Sequence, residues 1–201
     1  EAVAAPGELA HEPHLVTAAV AMAVLRGISG FVAFFLAFAF RRTGAASWWF
    51  GAALAASMLG SLAGAALAPP LRTRVREERI IAAALVLVAV VGLLAARSAG
   101  RPAGVALASV VGFAASVGKL AFDALVQRDG HESGRGRSFA RFEAGFQLTW
   151  VAGALLPVLI VLPARVGFFA VSLAAGLGAL VFISERWSHP ATSPTKEALD
   201  G

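Results

Sequence analysis

The sequence predicts an all-α, polytopic membrane bundle of six transmembrane helices. Three observations carry this. The chain has 201 residues, of which 58% are hydrophobic, and a mean hydropathy of +0.76. Only 14% of residues are charged, against about a quarter in soluble domains. The charges are also clustered: the stretches Ile80 to Ala96 and Val166 to Ser184 contain none. A hydrocarbon core about 30 Å thick needs about 20 consecutive apolar residues of helix, and several segments reach that length.

Apolar length and basic or Pro/Gly breaks delimit the elements in order. The first helix spans about His14 to Phe40 and is closed by Arg41 and Arg42. The second spans about Ser47 to Ala68, closed by Pro69 and Pro70. The third spans about Glu78 to Ala96, opened by the charged run Arg76 to Arg79. The fourth spans about Pro102 to Gln127, with Pro102 at a position where a missing N–H costs nothing. The fifth spans about Ser138 to Val161, with Pro157 in its last turns, and the sixth about Arg165 to Trp187. Residues 1–13 read as an acidic cytoplasmic linker, and 188–201 as a polar, Pro-containing, disordered cytoplasmic tail. The first residue is Glu1, and no basic segment precedes a short apolar core, so a signal peptide is not expected and material upstream is.

Six spans place both termini on one side. That side carries nine basic residues: Arg72, Arg74, Arg76, Arg79, Arg128, Arg135, Arg137, Arg186 and Lys196. The other carries five: Arg41, Arg42, Arg97, Arg101 and Arg165. The excess of basic residues on cytoplasmic loops predicts that both termini are cytoplasmic. Arginine outnumbers lysine 15 to 2 in an alanine-rich chain, a composition associated with GC-rich bacterial genomes, which points to the inner (plasma) membrane. Trp48 and Trp49 fall at the outer interface and Trp187 at the inner one, as an aromatic belt requires. The two triplets of helices have opposite orientations, so a 3+3 inverted repeat is expected from topology.

Several function classes are disfavoured. There is no cysteine, hence no disulfide or thiol chemistry. His11, His14, His131 and His189 lie outside the apolar runs or at their ends, without metal-ligand spacing. No P-loop pattern occurs, and no nucleophile–base pair lies within a span, so neither an enzyme nor a cofactor is expected. The formal charge of +5 is explained by membrane orientation rather than by nucleic acid. Small residues recur along the helices, including the Gly60–Gly64 GxxxG. In lipid, such residues let helices pack closely.

The segment from Phe122 is the most informative. Phe122-Asp123 leads through Arg128-Asp129 into a Gly/Ser loop, then Arg135-Gly136-Arg137, and a helix carrying Arg141, Glu143, Gln147, Trp150 and Gly153. This arrangement resembles the major facilitator superfamily, in which the tenth helix ends at a short polar loop with an Arg-Gly element before a glycine-bearing eleventh helix. The stretch Gly60 to Arg79 resembles a worn copy of that superfamily's signature loop: Arg72, Arg74 and Arg76 match loosely, and the aspartate is absent. The resemblance covers about residues 14–187 as helices seven to twelve of twelve. It implies secondary transport of a small-molecule substrate across the lipid bilayer, with a missing N-terminal six-helix half as partner. A membrane scaffold on a transporter-like fold is the alternative, since fold does not fix function.

Ionisable residues inside spans are costly and point to function. Arg26 lies about 18 Å along the first helix at 1.5 Å per residue, near mid-membrane. Lys119 and Asp123 are four apart and share a face. Arg141 and Glu143 lie in the early turns of the fifth helix, with Gln147 four beyond Glu143. Arg26, Gln147 and Trp150 are the expected substrate-pathway residues. Lys119, Asp123, Arg141 and Glu143 are the expected gate or proton-coupling cluster.

Overall fold

The computed structural model describes residues 13–129 and 135–188. The linker expected over 1–13 lies outside them apart from Pro13, and the tail apart from Ser188. The described residues form six helices: α1 (Pro13–Arg42), α2 (Trp48–Arg72), α3 (Glu77–Ser98), α4 (Arg101–Asp129), α5 (Arg135–Leu159) and α6 (Ala164–Ser188). Each contains a stretch long and apolar enough to cross a membrane. The protein is therefore a multi-pass helical membrane bundle.

The ends of the helices follow from local chemistry. After α1, Gly44 adopts a left-handed φ of 61°. Its N–H donates to the Arg41 carbonyl and the N–H of Ala45 to that of Phe40, the paired closure that a glycine after a helix allows. The second helix does not stop at Pro69 and Pro70 as the sequence suggests; both lie inside α2, which runs to Arg72. Proline's fixed φ is compatible with a helix, and what it removes is a donor. Here that loss falls near the end of the helix. At the far end of α3, Ala99 takes a left-handed φ of 48°, with its N–H on the Ala95 carbonyl. Two arginines secure the ends of other elements: Arg42 donates to the Leu162 carbonyl and Arg101 to that of Thr43, at 3.2 and 3.1 Å. Trp48 and Trp49 stack with ring centroids 4.1 Å apart. Trp49 lies against Phe40, while Trp48 is largely exposed.

Three helix pairs dominate the packing: α1 with α5, α2 with α4, and α3 with α6. Half of the apolar span is buried in α1 and in α4, against 11% in α2 and 22% in α5. So α1 and α4 form the centre, and α2 and α5 present leucine-rich outer faces. Glycine determines where the pairs cross. A Cβ on Gly30 would lie 2.0 Å from the Trp150 carbonyl oxygen, and one on Gly153 would lie 2.0 Å from that of Gly27. Between α2 and α4, a Cβ on Gly60 would lie 2.0 Å from the Ser109 oxygen, and one on Gly112 would lie 2.2 Å from that of Ser57. Such approach is what drives association where apolar side chains gain nothing by leaving lipid. Hydroxyls add cross-links: Ser61 donates to the Gly112 carbonyl at 3.2 Å and Ser172 to that of Ala89 at 2.7 Å.

Candidate functional site

Partly buried ion-paired side chains gather at the end of the bundle where α4 finishes and α5 begins. Lys119 Nζ lies 2.6 Å from Asp123 Oδ1, one turn further along α4. The same nitrogen lies 3.3 Å from Glu143 Oε2 on α5. Gln147 donates from Nε2 to Glu143 Oε1 at 3.3 Å. The ammonium also sits 5.2 Å from the ring centre of Phe139, within reach of a cation–π attraction. One cation thus serves two carboxylates, leaving a formal charge of −1. The Lys119 and Asp123 side chains are 19% and 22% exposed and Glu143 39%, so Glu143 is the more accessible acid.

Helices α4 and α5 have little backbone contact, so side chains join them. Beside the Lys119–Glu143 pair, Phe122 of α4 meets Phe142 and Phe146 of α5 edge to face, with ring centres 5.4 and 5.2 Å away. The junction is a salt bridge flanked by an aromatic cluster.

Arg141 does not join the cluster. It is exposed and forms no ion pair among the described residues. Its position explains this: two residues from Glu143, it projects to nearly the opposite side of α5, since neighbours on a helix face are three or four apart. For the same reason Gln147, expected along the pathway, is bonded to Glu143.

Arg26 is half-buried midway along α1, and its Nε is buried with no hydrogen-bond partner. Its direction follows from its neighbours. Gly27 and Gly30 meet α5, Leu25 and Met22 meet Gly118 of α4, and Val24 meets Gly178 of α6. At about 100° per residue, Arg26 projects between α4 and α5, away from α6. The Leu25–Gly118 contact places it within about a turn of the depth of Lys119. Trp150 is half-buried, with its ring edge-on to Phe34 of α1 at 6.1 Å.

A second charged group was not anticipated from sequence. Arg128, at the end of α4, lies 3.1 Å from Glu77 and 3.2 Å from Glu78, the first residues of α3. Arg72 and Arg76 approach the same acids at 3.9 and 3.6 Å. The signal was present: two acids open a helix where the dipole favours them, on the side where α4 ends. Comparison with protein-family models gives no match, and comparison with curated proteins gives none either. The functional reading therefore rests on packing and charge.

Proposed function

We propose that the chain is one six-helix half of a secondary transporter of the major facilitator type, moving a small solute by alternating access with a second six-helix half. The observation that carries this reading is the set Arg26, Lys119, Asp123 and Glu143 within apolar helices. An ionised group costs about 3 kcal/mol or more at mid-membrane, where Arg26 falls, and less toward the end where the Lys119 cluster sits. A scaffold gains nothing from that cost, whereas a solute pathway needs polar groups.

The packing supports the 3+3 repeat. Exchanging α1 with α4, α2 with α5 and α3 with α6 turns the α1–α5 pair into the α4–α2 pair and returns α3–α6 to itself. The reciprocal glycine contacts follow the same exchange: Gly30 corresponds to Gly112, and Gly153 to Gly60. The excess of basic residues on the side of the termini supports cytoplasmic termini in an inner membrane. In this arrangement the Lys119–Glu143 bridge and the Phe122 cluster hold α4 to α5 at the cytoplasmic end. Arg26, Gln147 and Trp150 lie on the solute side of that closure.

Two measurements on the complete protein in vesicles test this. Single cysteines at Ser47 and Thr73 are expected to label from opposite sides, with Thr73 cytoplasmic. A cysteine at Gln147 is expected to alkylate several-fold faster from the cytoplasm once Asp123→Asn frees Lys119 from its shortest partner. An unchanged rate with lowered thermal stability would make the cluster a structural ion pair and remove the gate.

A further inference from the structure

Resting on the transporter reading above, we infer that this half binds a small organic monoanion, a carboxylate, at Arg26, and one proton at Glu143, and so couples the two. Two charged groups beside α4 and α5 are unbalanced and lie at similar depth. Arg26 is a guanidinium with a buried, unpartnered Nε, facing the space between α4 and α5. A guanidinium edge offers two parallel donors that match a carboxylate, and Nε with one terminal nitrogen makes such an edge. Within about a turn of the same depth, Lys119 is shared by Asp123 and Glu143, and that triad carries one negative charge too many.

The surrounding elements leave this balance intact. On α5 itself, Arg141 is exposed and points away. From α4, Arg128 is engaged with Glu77 and Glu78. Glu185 of α6 accepts a hydrogen bond from Thr17, on the opposite face of α1 from Arg26.

The consequence is a selection rule. Summed over this half's own groups, the empty site is neutral, with +1 on Arg26 and −1 on the triad. An anion alone leaves −1, and a proton alone leaves +1. Anion and proton together neutralise each group locally: the carboxylate pairs with Arg26, and the proton converts the Glu143 carboxylate to a carboxylic acid while Lys119 keeps Asp123. Charge in a low-dielectric interior is costly, so the empty and doubly loaded forms are the ones that reorient. That is electroneutral symport. Glu143 is assigned the proton on geometry: it is held less closely by Lys119, at 3.3 Å against 2.6 Å, and as the more exposed acid it is the one a proton can reach. A zwitterion would balance the same charges, but its ammonium would have to displace Lys119 from Glu143, which a proton does not.

The test uses the complete protein in pyranine-loaded proteoliposomes, with labelled gluconate, lactate, alanine or glucose outside. At least one of the two carboxylates is expected to accumulate with acidification of the lumen, tenfold more under an inward proton gradient than without one. Arg26→Gln is expected to lose that uptake at least tenfold. Arg26→Lys, which keeps the charge and loses the fork, should raise the half-saturating concentration at least tenfold yet still transport. Glu143→Gln should abolish both the gradient-driven accumulation and the acidification. Arg26-dependent uptake of alanine or glucose, or carboxylate uptake indifferent to the proton gradient, would overturn this inference and leave the transporter reading standing. Uptake of none of the four by protein that unfolds cooperatively would overturn both.

Discussion

The α1–α5 and α2–α4 crossings share one backbone contact and differ in nearly everything attached to it. In each, two glycines bring a helix onto its partner's carbonyl at the same spacing: Gly30 with Gly27 opposite Gly153 and Trp150, and Gly112 with Ser109 opposite Gly60 and Ser57. Four residues before Gly30 stands Arg26; four before Gly112 stands the buried Ala108. Seven residues beyond Gly112 is Lys119, and seven beyond Gly30 is Ala37. Ten before Gly153 is Glu143, and ten before Gly60 is Phe50. Glycine and small residues thus supply the packing, which repeats, while ionisable residues are set on that packing asymmetrically. Lipid explains why the two can be separated. Helix association here depends on close backbone approach rather than on burying apolar area, so charges can be placed without undoing the contact that holds the helices together.

The largest effect comes from breaking that shared contact. Gly30→Val and Gly60→Val each place carbon about 2 Å from a backbone oxygen that has no rotamer by which to retreat. Overpacking of this kind costs about 3 kcal/mol or more, well beyond the roughly 0.3 kcal/mol of helix propensity that valine regains over glycine. Gly145→Val meets nothing within 4 Å and serves as the control. Thermal unfolding in detergent should show both crossing variants melting far below the control, and by similar amounts. A large loss at Gly30 with none at Gly60 would end the equivalence of the two crossings.

A smaller effect comes from the asymmetric charges. Lys119→Ala leaves Asp123 and Glu143 facing each other without their shared cation, and removing one partner of a buried pair costs about 3 kcal/mol. Partial exposure of all three side chains lowers that to about 2 kcal/mol. Adding Glu143→Gln should restore about half, since one uncompensated charge is gone. The corresponding change beside the other glycine, Ala37→Ser, should move the melting temperature very little. If the double variant is no more stable than Lys119→Ala, the bridge from α4 to α5 contributes nothing to holding the two helices together.

Much of this was legible in the sequence, and the limits have physical causes. Six spans follow from apolar length, because lipid leaves a backbone few alternatives to a helix. The helix boundaries were read to within a few residues. The exception in kind was α2, where two prolines read as a stop but only remove donors near a helix end. The Lys119–Asp123 pair follows from i,i+4 spacing. Its third member, Glu143, was expected beside them because only a few residues of sequence separate the end of α4 from the start of α5. Arg141 falls outside the cluster because residues two apart on a helix project to nearly opposite sides. The link from Arg128 to Glu77 and Glu78 lies fifty residues apart in sequence and becomes visible only when the α2–α3 connection is placed beside the end of α4. The glycine pairs were visible as small residues, but which helix each one meets is a property of the packing alone.

The smallest effect separates the two crossings by a single hydrogen bond. At the α2–α4 crossing, Ser61 donates across the interface to the Gly112 carbonyl at 3.2 Å. At the α1–α5 crossing, the Thr149 hydroxyl turns back to its own helix, donating to the Gly145 carbonyl at 2.8 Å. What Thr149 gives its partner is its methyl group, 3.2 Å from where a Cβ on Gly27 would stand. Interhelical hydrogen bonds within membranes contribute about 0.6 kcal/mol on average, because the separated helices also find partners. Ser61→Ala should therefore lower stability by about that amount and Thr149→Val, which keeps the methyl, by less. The order matters more than the size: a hydroxyl that crosses the interface must cost more to remove than one that does not. If Thr149→Val proves the more damaging, side-chain packing rather than a cross-helix bond distinguishes the crossings, and the α1–α5 pair is the tighter of the two.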